Sequence, residues 1–342
     1  MYHRNVSGFD PKSPNVARVY DALVGGKDNF EPDRGAVAIL AEIAPQITEL
    51  AAENRQFQAR AVTWLANQGI TQFLDLGCGM PAEPNTHETA QEANPDARVA
   101  YVDIDPVAAN HMTTFVRPGS GVTAVRADAS DPAGVRAALD GALDFTQPVA
   151  VLMGALLHFY PAPAAREIVT GTTGDLAPGS YLTLSVIAAE GKVMDRLIPA
   201  YSAAIAPLYP YTEDETAGLL DGLDLVPPGI APHDTWRPGW AEAPPPKADR
   251  DFFGHVAVAR VGAPAPRDQL ATITRNAHGH PCTIGSWPAS IRTPRISPGS
   301  TTPSSAARTT SNPTGARPRN SPRSVPSSPS SRPRTGSSRP AP

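Results

Sequence analysis

Between residues 71 and 187, short apolar runs alternate with helical segments, and this pattern leaves few folds available. The runs are TQFLDLG, ARVAYVD, GVTAVRAD, PVAVLMGALLHF and SYLTLSVI. Each reads as a strand buried on both faces, and the segments between them have room for crossover helices. NTHETAQEA opens with a capping box at Asn85 and Glu88, and the helical stretches DPVAANHMTTFV, DPAGVRAALD and APAAREIVTGTTGDL follow. A helix over Val193 to Ile205 and a second capping box, Thr212 to Glu215, come next. Two last runs, GLDLVPP and FFGHVAVARV, are joined by a Pro- and Trp-containing loop and suit an antiparallel pair at the sheet edge. The expected fold is α/β, a doubly wound, mostly parallel sheet of seven strands.

Three helices precede the alternation. In SPNVARVYDALVGG, Ser13 is the expected N-cap and Pro14 the first helical residue, with Val16, Val19, Tyr20 and Leu23 at helical spacing and Gly25 or Gly26 as the stop. Pro32 opens a second helix through Leu40. A third spans about Gln46 to Asn67 with Ile47, Leu50, Phe57, Ala61 and Trp64 on its apolar stripe. Asn54 falls on that stripe, where a polar side chain needs a partner in the protein or in a ligand.

The expected organisation is a helical N-terminal extension over 1–70, an α/β core over 71–262, and a tail over 263–342. The tail is rich in Ser, Pro, Thr and Arg and poor in large apolar residues, a composition expected to stay disordered. Its eleven Arg against one Asp leave the first 262 residues with a net charge of about −14 out of the formal −4 for the whole chain. So acidic a body would repel phosphates, and no nucleic-acid partner is expected. Two cysteines, Cys78 and Cys282, are too few for a disulfide framework. With no signal-type apolar segment and no run of ~18 apolar residues, the reading is a cytoplasmic protein without a membrane partner. The sequence leaves the oligomeric state open.

Three loops after the first three strands carry the binding signals. In FLDLGCGMP, Gly77 and Gly79 let backbone approach a ligand where the strand order reverses. Gly77, Gly79 and Ala82 also satisfy the dinucleotide pattern G-x-G-x-x-A. That pattern runs directly into a helix facing a pyrophosphate, whereas here Pro81, Pro84 and the Asn85 cap delay the helix. Asp75, two residues ahead of the first glycine, favours a cationic ligand. Asp103 ends strand two, where a carboxylate accepts from both hydroxyls of a ribose; Asp105, before Pro106, fits a helix cap better. Asp128 ends strand three and can accept from the exocyclic amine of adenine, with the Ala129 amide facing a ring nitrogen. Ser130 or Asp131 can cap the next helix.

These motifs, in this order, resemble the class I S-adenosylmethionine-dependent methyltransferases. ARVYDALVGGKDNF, ENRQF, FLDLGCGMP, YVDIDP, LLHF and LAPGSYLTLS together resemble an actinobacterial S-adenosyl methyltransferase family, over roughly residues 10–262. The third glycine common in the superfamily's loop is missing. The resemblance implies a Rossmann-like core, S-adenosylmethionine as cofactor and a small-molecule methyl acceptor. It also implies that the N-terminal helices cover the cofactor pocket, so Tyr20, Gly26, Lys27, Asp28 and Asn29 become expected lid residues. Lys27 or Arg55 would pair with the methionyl carboxylate, and Ile104 and Gly154 join the expected cofactor-binding set. No metal is implied.

Methyl transfer needs a general base only when the acceptor must lose a proton. His158 in LLHF is the first candidate, its plain alternative being a histidine hydrogen-bonded to the next loop; Tyr20 and Asp28 follow. Cys78 reads as a residue chosen for size. LYPYTEDE and PHDTWRPGW are expected to supply aromatic walls for the acceptor. An NAD-dependent oxidoreductase and a non-catalytic cofactor-binding protein remain as alternatives. The acceptor itself is not legible.

Overall fold

A computed structural model describes residues 9–239 and 252–262. The expected disordered tail, 263–342, and Trp240 of the Trp-containing loop lie outside the described residues. The five apolar runs form five parallel strands: β1 (Gln72–Leu76), β2 (Arg98–Asp103), β3 (Val122–Arg126), β4 (Ala150–Gly154) and β5 (Tyr181–Gly191). β6 (Asp224–Leu225), β7 (Ala231–Pro232) and β8 (Phe252–Arg260) complete a sheet ordered β3-β2-β1-β4-β5-β8-β6, with β7 also on β8. The sheet thus holds eight strands, not seven, because the Pro-containing loop adds the two-residue β7. The final pair is antiparallel as expected, yet β8 sits between β5 and β6. The order reverses between β1 and β4, which opens a crevice at their carboxyl ends.

The helices are α1 (Val16–Leu23), α2 (Glu31–Ile43), α3 (Ile47–Asn67), α4 (Thr86–Ala93), α5 (Pro106–Met112), α6 (Pro132–Ala138), α7 (Ala162–Thr173), α8 (Met194–Ala204) and α9 (Glu213–Leu219). Both capping boxes form, at Asn85–Glu88 and Thr212–Glu215. The cap of α1 is Asn15 rather than Ser13, so Pro14 stands outside the helix. Tertiary contacts decide this: the Asn15 N–H donates to Asp33 Oδ1 (3.0 Å) and its side-chain amide to Asp105 Oδ2 (2.7 Å). Strand β4 stops at Gly154, and the LLHF segment forms a 3₁₀ turn over Leu157–Phe159.

Successive strand residues point to opposite faces, giving two apolar layers. Leu74, Leu76, Val102, Val151, Met153 and Leu184 pack with α1, α2, α6, α7 and α8 on one side. Phe73, Val99, Tyr101, Leu152, Val256 and Trp236 pack on the other. Helix α3 serves both, with Ile47 and Leu50 in the first layer and Phe57, Ala61, Val62 and Leu65 in the second. The N-terminal helices therefore share the core of the sheet. Where α3 passes between the two layers, Asn54, Arg55 and Gln58 face the crevice. No single helix among the described residues is long and apolar enough to cross a membrane.

Candidate functional site

The crevice at the reversal point is a cavity of about 1480 Å³ of empty space, its open mouth included. One half is built by the loops after β1, β2 and β3. The other is built by α1, α3, the turn after β4, β5 and α8.

The first half is tightly organised. Gly77 and Gly79 adopt φ of +69° and +65°, the left-handed region that glycine enters without strain. The Gly77 N–H donates to the Val102 carbonyl (2.8 Å), while a Cβ on Gly77 would lie 2.7 Å from Leu156 Cδ1. A Cβ on Gly79 would meet nothing within 4 Å. That position opens on the cavity. Helix α4 does not begin until Thr86, so no helix N-terminus follows the glycine turn directly.

Asp103 ends β2 with both carboxylate oxygens engaged. Oδ2 accepts from the Gly79 N–H (2.9 Å) and Oδ1 from the Asp105 N–H (2.8 Å). Burial pushes its pKa up to about 6, against the lowering effect of those two N–H groups. Each oxygen of a carboxylate has a further lone pair, so two acceptor positions remain. Asp105 caps α5, accepting from Val107 N–H at 2.7 Å. Asp75 is likewise buried and raised in pKa by burial, and its Oδ2 accepts from Thr86 Oγ1 (2.6 Å) and Gln58 Nε2 (3.3 Å). Burial also raises the Cys78 thiol well above its ordinary value, which suits a residue present for size rather than nucleophilicity. Ile104 and Ala129 line the same wall.

The second half carries polar atoms without partners. Tyr20 donates to the Ala51 carbonyl (3.2 Å) and accepts from Asn54 Nδ2 (2.8 Å). In this arrangement the Asn54 NH₂ faces Tyr20 and its Oδ1 is left over. Asn54 Oδ1 is buried and unbonded, as are His158 Nδ1 and Arg55 Nε. Arg55 donates through Nη2 to the carbonyls of Ala82 (2.5 Å) and Pro84 (3.0 Å). Ala155 turns the chain out of β4 with φ +53°, and its N–H donates to Ser185 Oγ at 2.8 Å. The turn that follows is pinned by the Tyr209 N–H on the His158 carbonyl (2.8 Å) and by the Tyr211 hydroxyl on the Tyr160 carbonyl (2.7 Å). His158 is therefore bonded to the next loop through its carbonyl, while its ring lines the cavity. Burial lowers its pKa to about 3, so the imidazole is neutral near pH 7 and a weak proton acceptor. Burial raises the Tyr20 phenol.

Of the residues singled out from sequence, Tyr20, Arg55, Asp75, Gly77, Gly79, Asp103, Ile104, Ala129, Gly154 and His158 meet around this cavity. Gly26, Lys27, Asp28, Asn29 and Asp128 are not among its lining residues. The first four fold around Asp21. Its Oδ2 accepts from the Asp28 N–H (2.9 Å) and Asn29 Nδ2 (2.8 Å), and a Cβ on Gly26 would collide with its carboxylate. Gly25, at φ +77°, ends α1 in a Schellman arrangement, the Gly26 N–H reaching back to the Asp21 carbonyl (2.8 Å). Lys27 is exposed, and Asp28 pairs with His111 of α5 at 3.5 Å. Asp128 Oδ1 accepts from the Ser130 N–H (2.8 Å), and Asp131 caps α6.

Asp21, Gln58, Ser185, Tyr201 and His233 also line the cavity and were not singled out. Gln58 had a signal: it lies one helical turn from Asn54 on the buried stripe of α3. His233 lies in PHDTWRPGW, while Tyr201 had no signal, being remote from any motif. The aromatic walls come from Phe159, Tyr160 and Tyr201 rather than from LYPYTEDE and PHDTWRPGW, which contribute Leu208 and His233. Trp236 packs against Phe57 within the core, their ring centroids 5.3 Å apart.

Comparison with known proteins gives a consistent result. A family model described as S-adenosyl methyltransferase matches residues 3–261. The fold is similar to that of a candidate methyltransferase from Thermobifida fusca YX, 34% identical, with a TM-score of 0.69 over 76% of this chain and 100% of that one. It is also similar to a DUF574 family protein from Streptomyces avermitilis MA-4680, 36% identical, with a TM-score of 0.68 over 73% of this chain and 98% of that one. No curated protein matches the chain.

Proposed function

Since the chain belongs to the S-adenosyl methyltransferase family, whose cofactor is S-adenosylmethionine, we propose that it methylates a small-molecule acceptor held in the second half of the cavity. The observation that carries this reading is Asp103, a buried carboxylate at the cavity wall whose two oxygens each keep an acceptor position beside an open glycine turn. The residues present fit the cofactor. Asp103 would accept from the two ribose hydroxyls, with the Gly79 backbone against the ligand. Ile104 and Ala129 would flank the adenine. Arg55, with its buried Nε unbonded, would face the methionyl carboxylate, and Asp75 and Gln58 its ammonium.

When bound, S-adenosylmethionine supplies an electrophilic methyl group on a sulfonium. The protein's part is to hold an acceptor in line with that methyl and keep water away. Tyr20, Asn54 and His158 stand on the acceptor side as positioning groups. His158 is a poor general base while buried and neutral. Asp128, Lys27, Asp28 and Asn29 take no direct part in this reading, and Gly26 serves the loop that Asp21 organises.

Isothermal titration of S-adenosylmethionine and its demethylated product into wild type and Asp103→Ala tests the assignment. Micromolar binding by the wild type, lost in the variant, is expected, whereas equal affinity removes the ribose site. Screening metabolite extracts with methyl-tritiated cofactor then identifies the acceptor.

A further inference from the structure

The ionic side chains on the cavity lining are all engaged elsewhere than with an acceptor. Among the described residues that line it, those other than histidine are Asp21, Arg55, Asp75 and Asp103. Asp75 holds Thr86 and Gln58, and Asp103 holds the N–H groups of Gly79 and Asp105, both in the cofactor half. Arg55 donates through Nη2 to the carbonyls of Ala82 and Pro84, and its Nε is the group proposed to face the methionyl carboxylate. Asp21 alone of the four lies on α1, in the acceptor half. Its Oδ2 accepts from the Asp28 N–H (2.9 Å) and Asn29 Nδ2 (2.8 Å). Its Oδ1 has no hydrogen bond, yet Gly26 packs so close that a Cβ there would collide with that oxygen. The Asp21 carboxylate is turned to its own loop.

The rest of that half is apolar, with Leu50, Phe159, Ile187, Leu197, Tyr201 and Leu208 in its walls. The rings of Phe159 and Tyr201 lie 6.2 Å apart, and that of His158 lies 4.6 Å from Phe159. Asn54 Oδ1 and His158 Nδ1 are also buried and unbonded here. Both belong to uncharged groups, because burial keeps the imidazole unprotonated near pH 7. Each can bond a neutral polar group, whichever ring nitrogen carries the proton. An ion is served differently. Taken out of water with no opposite charge beside it, an ion loses far more than an uncharged group does, and the lining carboxylates add repulsion against an anion.

We propose that the second half of the cavity selects an uncharged, largely apolar acceptor and turns away carboxylates, phosphates and ammonium ions of matching size. This rests on the methyltransferase reading, in which the cofactor's own carboxylate occupies Arg55. Apolar area supplies the affinity, and Asn54 and His158 meet neutral polar groups that the molecule carries. Specificity then comes from walls whose described residues offer an ion no free opposite charge. Adding one such charge should reverse the preference.

The test uses the full chain loaded with S-adenosylhomocysteine at pH 7 and four probes: 5-indanol, indane-5-carboxylate, 5-(aminomethyl)indane and methyl glucoside. Ligand-observed NMR follows their binding. Indanol should bind at least about tenfold more tightly than the ring-matched carboxylate and ammonium, and the polar, uncharged glucoside should not bind. Ile187→Lys, at a half-buried lining position on β5, should raise the affinity for the carboxylate above that for indanol. Its affinity for S-adenosylhomocysteine should stay in place, a readout that also certifies folding. Should this variant fail to bind the cofactor product, Leu23→Lys replaces it, half-buried on the same lining in the last turn of α1, where a cation suits the helix end. If neither variant binds it, the wild-type ranking decides alone. The proposal is overturned if the carboxylate or the ammonium binds wild type as tightly as indanol, if the glucoside does so, if no probe binds, or if a folded lysine variant keeps the wild-type order. Failure of the wild type to bind S-adenosylhomocysteine would overturn the methyltransferase reading itself, a separate outcome seen before any probe is added.

Discussion

At the ends of β1 and β2, the cavity wall is already braced by its own hydrogen bonds. The carboxylates of Asp75 and Asp103 hold Thr86, Gln58, Gly79 and Asp105, so the loops keep their shape without a ligand. Across the cavity, Asn54 Oδ1 and His158 Nδ1 are buried with nothing to bond. An unsatisfied buried polar atom costs ~1–3 kcal/mol, so this half is left incomplete until something fills it. The contrast separates loops held in shape by their own hydrogen bonds from a wall that keeps unbonded polar atoms.

The largest expected effect is on the braced side. Asp103→Ala should weaken binding of S-adenosylhomocysteine by about 100-fold or more, since two hydrogen bonds to a charged acceptor are lost. Isothermal titration measures it, and an unchanged affinity would break the comparison at its root. The same residue sets a pH signature. Its folded-state pKa of about 6 lies above the ordinary value of 3.8, so ionisation opposes folding. Its favourable contribution to stability is complete below the ordinary value and is lost as pH rises through about 6. In the proposed reading cofactor binding uses the ionised carboxylate and is gained over that same window. Between pH 7 and pH 5, affinity should therefore fall, a slope that titrations at several pH values would detect and that Asp103→Ala should lack.

The two glycines sharpen the picture. Gly77→Ala puts a Cβ 2.7 Å from Leu156 at φ +69° and should cost about 2 kcal/mol of stability. Gly79→Ala, with open space around its Cβ, should cost about half as much and act mainly on cofactor affinity. Urea denaturation alongside titration reads both quantities; equal losses of stability would dissolve the distinction. The smallest effect belongs to His111→Gln, which removes a half-exposed pair at 3.5 Å and should change stability by less than about 0.5 kcal/mol. A larger change in urea denaturation would show that the pair anchors the loop after α1 more firmly than this geometry implies.

The two halves also differ in how far they could be read beforehand. Asp75, Gly77, Gly79 and Asp103 sit in short, recognisable motifs at strand ends. Their convergence followed from recognising parallel strands. Gly26, Lys27, Asp28 and Asn29 lie off the cavity lining. A Gly-Gly hinge beside charged residues looks like a lid, but Asp21, one turn earlier, captures the loop and holds those residues away from the cavity wall. Asp128 was placed at the right strand end, yet its side chain turns to Ser130 and leaves the wall to Ala127 and Ala129. The cap of α1 moved from Ser13 to Asn15 because Asp33 and Asp105, distant in the chain, bind Asn15.

Hydrophobic periodicity and glycine placement, both local properties, were enough to determine the doubly wound sheet, its helical extension and the loops that meet at the reversal point. The tertiary structure alone decided that β8 enters between β5 and β6 and that α3 crosses both core layers. It also decided that Asn54 and His158, distant in the chain, line one cavity. Those outcomes depend on packing between segments far apart in the chain, which no short window of sequence encodes.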